Sequence, residues 1–352
     1  MTRCAGGADM PTLRCPAWVW KLLRAALCLA LLAGLFHRVD GPTLRDAGRD
    51  ALAHPGWLAV GTLLTLAGLL MAALRWAGIL RAQGFAVPAG RIIRFFFIGQ
   101  FFNAFMFGAC GGDMARIYYT LRASVRQRTE AATSVLIDRG IGLVLQVVFG
   151  CALILLYWPL FRATATGRAG ATLMFAGLAG AAAGLLLLLR RNLFERFAFL
   201  RRWEARHALG GRLRRAYETA YAYHRQPRAL AGAAVFSLLN LLFQMAACVA
   251  LGRSLELDMP VAYFCAFFPT ISVLTAVPLT PGGFGVREGL FVVLLRSVGV
   301  DGHRALLLSL LYYFSGLIWS LVGGAFFLSS SAAAGQGLRA ELESIRRGGA
   351  AE

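Results

Sequence analysis

Six apolar runs constrain this chain more than any other feature: residues 18–36, 57–80, 134–158, 170–189, 229–251 and 305–328. At about 1.5 Å of rise per residue, each reaches across about 30 Å of hydrocarbon, the first only just. Inside a bilayer such a run must satisfy its own backbone, so each is read as a helix. Composition agrees, because 58% of the 352 residues are hydrophobic and 15% are charged, whereas soluble domains carry about 25% charged residues. The sequence therefore predicts an all-α polytopic membrane protein with about six spanning helices. It forms one domain over residues 1–352, with a membrane core from 18 to 328 and a tail from 329 to 352.

The formal charge is +19, and of the 36 basic residues all but Lys21 are arginine. No interleaved basic and aromatic surface lies outside the apolar runs, so nucleic acid is not an expected partner; membrane lipids with anionic headgroups are. The linker 190–228 holds eleven Arg against Glu195, Glu204 and Glu218, which directs it to the cytoplasm. Arg3, Arg14, Lys21 and Arg24 place the N-terminus on the same side, and Arg339, Arg346 and Arg347 the C-terminus. The expectation is a multi-pass inner-membrane protein with both termini cytoplasmic. The run 18–36 has the basic flank of a signal peptide but no small-x-small site after it, and is kept as the first span. The seven cysteines lie mostly in or beside apolar runs and show no metal spacing.

Two more apolar stretches are irregular. Residues 92–110 are rich in Phe and run into Gly111 and Gly112; residues 262–298 are interrupted by Pro269, Pro278, Pro281, Gly282, Gly283 and Gly285. With the linker and both termini cytoplasmic, the count of crossings leaves no place for 92–110 as a single span, so it must enter and return on one side. The stretch 262–298 must cross an even number of times, as a re-entrant hairpin or a crossing pair. Gly282 follows Gly111 by 171 positions in the chain, and each half then reads as two helices, a broken segment and one more helix. Three crossings per half would invert the second half relative to the first, a pattern that points to a central transport site. Coincidence in a chain with 40 glycines is the competing explanation.

Three constellations could carry chemistry. In the first, Gln100 and Asn103 precede Gly111, Gly112, Asp113 and Arg116; the glycines would let a helix restart and turn its N–H groups and Arg116 toward a phosphate. A capped cytoplasmic helix with Asp113 as its cap explains the same residues. The second is Asp138 and Arg139, a few residues into a span, with Arg139, Gly142 and Gln146 forming one polar stripe. Ionisable groups there cost about 3 kcal/mol or more each and need a partner or a wet cavity, unless they snorkel to the interface. In the third, Pro281, Gly282, Gly283 and Gly285 permit an unwound stretch beside Arg287 and Glu288, either at membrane depth or as an external turn. Asn240 and Gln244 read as helix-joining groups, Gly180 and Gly184 as a close-packing motif, and Arg75 as a snorkelling residue. No metal site, cofactor motif, nucleophile elbow or paired carboxylates are visible.

Asn103, then GGDMAR at 111–116, VLIDRGIGL around Asp138 and Arg139, and PGGFGVREG at 281–289 occur in that order. In this the chain resembles the lysylphosphatidylglycerol synthase transmembrane-region family, also called flippase-like. That family includes the membrane part of bacterial multiple peptide resistance factor. The resemblance covers nearly the whole chain and implies a lipid translocator with re-entrant segments. Relatives have been linked to aminoacylated phosphatidylglycerol, polyprenyl-linked sugars and hopanoid pathways. By position it carries over Asn103, Gly112, Asp113, Arg116, Asp138, Arg139, Pro281, Gly282, Gly283, Gly285 and Glu288. Two departures stand out. Many members have a Pro shortly before the first glycine motif, where this chain has Phe105, Met106, Phe107 and Gly108. Only 24 residues follow Leu328, so no aminoacyltransferase activity is expected.

The expected function is translocation of a phosphate-bearing amphiphilic lipid, of phospholipid, polyprenyl-linked or hopanoid type. Gly111 and Arg287 join the carried-over residues as the translocation site. Two alternatives stand beside it: a membrane-embedded transferase using a lipid-linked donor, and a non-transporting partner of envelope lipid-synthesis enzymes acting through its basic linker.

Overall fold

The computed structural model describes residues 48–49, 51–105, 111–123, 128–189, 210–276, 283 and 285–348. The first apolar run, Pro281, Gly282 and most of the basic linker lie outside them. Every element described is helical. Five helices are long and apolar enough to span: α1 (Pro55–Ala82), α4 (Arg128–Leu156), α6 (Ala165–Leu189), α8 (Pro227–Ser254) and α11 (Gly302–Gly348). Between them lie α2 (Ala89–Phe105), α3 (Gly111–Ala123), the five-residue α5 (Trp158–Arg162), α7 (Gly210–Ala222), α9 (Val261–Ala276) and α10 (Val286–Arg296). The chain is a multi-pass membrane protein, and its many exposed Leu and Val side chains on α4, α6 and α11 face the medium such a protein requires.

The helix α2, with 17 residues, is about 26 Å long, short of the hydrocarbon thickness. It folds back on α3. Asn103 meets Gly112, Gln100 meets Arg116, and Phe95 stacks on Tyr119, an antiparallel register. This hairpin is the geometry that the crossing count demands. Gly112 permits it, because a Cβ there would run into the carbonyl oxygen of Gly99 and the amide of Asn103. Gly112→Ala is therefore expected to lower stability by about 1–3 kcal/mol through overpacking. Helix propensity alone would give a gain of about 1 kcal/mol, so the sign of the shift in thermal unfolding decides whether the close approach exists.

The second broken segment uses its glycines differently. Gly283 and Gly285 have φ of 75° and 80°, left-handed values that disfavour a side chain, and Gly285 then opens α10 as its N-cap. Pro269 lies inside α9, the partner of α10.

The halves correspond. The central contact is the antiparallel packing of α1 on α8: Gly61 lies against Leu251, Gly68 against Asn240 and Gln244, and Arg75 bonds Ser237. Two equivalent helices packed antiparallel are related by a two-fold axis perpendicular to them. The remaining contacts obey the same axis. Helix α2 packs on α3 as α9 on α10; α3 on α4 as α10 on α11; α2 on α11 as α9 on α4; and α1 on α4 as α8 on α11. Single residues keep the register, since Arg287 follows Arg116 by 171 positions and Ser309 follows Asp138 by the same 171. The repeat is inverted.

Candidate functional site

Asp138 is the centre of the first half's charged cluster and is 1% exposed. Its Oδ1 accepts from Arg75 Nε at 2.7 Å, and Oδ2 lies 3.6 Å from Arg116 Nη1. Arg75, read from sequence as snorkelling, is instead 7% exposed and turned inward, donating also to Ser237 at 3.1 Å. The correction has a simple cause: a buried carboxylate on a neighbouring helix offers more than the interface does. Arg116 is held mainly by aromatic faces, its guanidinium 4.1 Å from the Phe96 ring centre and 5.5 Å from Trp76. Nη2 reaches Gln100 Oε1 at 3.3 Å, while Nε is buried with no hydrogen-bond partner among the described residues.

Arg139 turns the other way and grips Asp113, with Nε 2.8 Å from Oδ2 and Nη2 2.9 Å from Oδ1. This pair is part-exposed and ties α4 to the first turn of α3. The Gly112 N–H donates to Asn103 Oδ1 at 3.1 Å, so the start of α3 is capped from within the hairpin. Arg75, Arg116 and Arg139 against Asp113 and Asp138 leave the cluster one positive charge in excess.

The second half gathers Arg287 and Glu288. Glu288 is fully buried; Oε2 accepts the Gly285 N–H at 2.6 Å, and Oε1 accepts from Arg287 Nε at 3.1 Å and Ser309 Oγ at 3.4 Å. Arg287 also lies over the Tyr313 ring, 4.7 Å from its centre. Here acid and base are neighbours in the chain and cancel, so this site carries no excess charge.

Beside the first cluster is a cavity of about 370 Å³ lined by α1, α4, α8, α9 and α11. Arg139, Gly142 and Gln146, the stripe read from sequence, form its α4 wall, and Arg75 and Ser237 another side. Asn240 and Gln244 line it too, a role their sequence context did not suggest, although Gln244 does join helices by accepting from Tyr312 at 2.9 Å. Ser309, in the second cluster, precedes Tyr312 by about 4.5 Å along α11. The site thus brings Arg139 to the cavity and keeps Asp138 and Arg116 just behind Arg75. Arg287 and Glu288 form their own cluster, and Gly283 and Gly285 shape the approach to it. Around Gly180 and Gly184, among the described residues, nothing comes within 4 Å of a Cβ built at either.

An inverted repeat of helices with broken segments, buried ion pairs and a polar cavity at the junction of the halves defines an all-α multi-pass membrane protein. The family model described as Lysylphosphatidylglycerol synthase TM region matches residues 18–324. The chain belongs to that family. No curated protein matches it significantly.

Proposed function

We propose that this protein moves a phosphate-bearing amphiphilic lipid between the leaflets of the inner membrane, with both termini cytoplasmic. One observation supports the reading above the others: a polar cavity with two arginines on its wall lies beside the antiparallel α1–α8 pair about which the halves are inverted. The excess positive charge draws the phosphate, Asp113 and Asp138 hold the arginines in place, and the two hairpins rearrange around the fixed α1–α8 pair. Acyl chains stay in lipid, since about 370 Å³ is near the lower end of small-ligand pockets.

Vesicles reconstituted with the full chain and fluorescent phosphate-bearing lipids test this through protection from an impermeant quencher. Protein-dependent exchange is expected, and Arg139→Gln should slow it by about tenfold or more, the worth of a hydrogen bond from a charged group. Stability should change little, because the Arg139–Asp113 pair is part-exposed and such pairs contribute about 0–1 kcal/mol. Exchange no faster than in empty vesicles for every lipid tried would refute the reading.

A further inference from the structure

The cavity wall says more about the headgroup than that it is anionic. Its charged lining residues are both arginines, and no carboxylate lines it among the described residues. The nearest acids, Asp138 and Asp113, are already engaged by Arg75 and Arg139. A cationic headgroup would meet guanidinium groups on the wall with no counter-charge to receive it. The neutral lining is rich in groups that both donate and accept. Gln146, Asn240 and Ser272 are part-buried and have no side-chain hydrogen-bond partner among the described residues, so all three can receive a ligand. A phosphodiester alone is only an acceptor and uses none of their acceptor capacity.

We infer that the cavity takes a phosphodiester whose remaining substituent is a neutral polyol, such as glycerol or a sugar, and excludes phosphodiesters bearing an aminoacyl cation. This deepens the proposed function and rests on it for biological meaning, but binding can be measured without transport. The phosphate faces Arg75 and Arg139, and the hydroxyls satisfy Gln146, Asn240 and Ser272. Glycerol and sugar heads share this chemistry and are told apart by comparing their affinities.

The test is equilibrium binding to the purified full chain in detergent, read by tryptophan fluorescence. The short-chain probes are phosphatidylglycerol, a glycosyl phospholipid, phosphatidylethanol, which keeps the phosphodiester but has no hydroxyl, and lysyl-phosphatidylglycerol. The expected order is a polyol lipid first, phosphatidylethanol several-fold weaker, and the lysyl lipid at least tenfold weaker than phosphatidylglycerol. Asn240→Asp places a carboxylate in the wall at nearly constant shape and should narrow or reverse the preference against the lysyl lipid. Because the order is compared within each variant, a loss of active protein cannot imitate that result. Lysyl-phosphatidylglycerol binding as tightly as phosphatidylglycerol in the unaltered protein, or no binding by any probe, overturns the inference. Failure of lipid exchange in vesicles with this binding order intact would instead strike the translocation reading alone.

Discussion

Asp138→Asn should destabilise the protein by about 3–5 kcal/mol, the cost of leaving buried charge uncompensated. Asn matches Asp in shape, and its amide oxygen can still accept from Arg75 Nε, so the loss isolates the charge. What remains is Arg75 and Arg116, 7% and 5% exposed, with no carboxylate between them. Thermal unfolding of detergent-purified protein and the yield of monodisperse material measure the effect. A melting curve like that of the unaltered chain would mean that the carboxylate is not what holds these arginines. The companion variant Arg75→Met, Arg116→Met and Asp138→Leu should regain much of the stability, because apolar replacement of a whole buried ion cluster is often neutral or stabilising. It should still fail to exchange lipid, since Arg75 has left the cavity wall.

That pair shows where sequence reading reaches its limit. Local signals were legible: the apolar runs, the glycine breaks, and the stripe Arg139, Gly142, Gln146, because helical spacing alone puts those three on one face. The hairpin of α2 and α3 was legible indirectly, through the bias of arginine and the count of crossings. Arg75 was not, because its partner is 63 positions away and nothing in a lone arginine near a helix end distinguishes a buried ion pair from a snorkelling side chain. Gln244 and Asn240 were recognised as polar groups in a span but not as cavity wall, which depends on how α8 rotates against α1.

The inverted repeat turns the two charged clusters into a comparison made within one molecule. In the first half the base is on the hairpin at Arg116 and the acid on the following span at Asp138; at the corresponding positions of the second half stand Arg287 and Ser309. The acid has moved to Glu288, where it also receives the Gly285 N–H. The asymmetry matters, because it leaves the first cluster with excess positive charge and the second with none; under the proposed function, attraction of the phosphate falls to the first half.

Glu288→Gln should therefore cost about 3–5 kcal/mol by stranding Arg287, while the cap on α10 survives, since a Gln oxygen at that position can still accept the Gly285 N–H. Adding Ser309→Asp rebuilds the first half's arrangement in the second: Ser309 Oγ already lies 3.3 Å from Arg287 Nε, so a carboxylate there falls within reach of the same guanidinium. The double variant should recover more than half of the lost stability in thermal unfolding, and lipid exchange with it. Ser309→Asp alone should do the opposite, because it sets a second carboxylate beside the Glu288 Oε1 that Ser309 now contacts at 3.4 Å, and like charges this close cannot both stay ionised. Equal damage in the double and the Glu288→Gln variants would show that a carboxylate at 309 does not replace the one at 288, and that the charge must sit beside the start of α10. The two halves would then be alike in fold but not in electrostatic design.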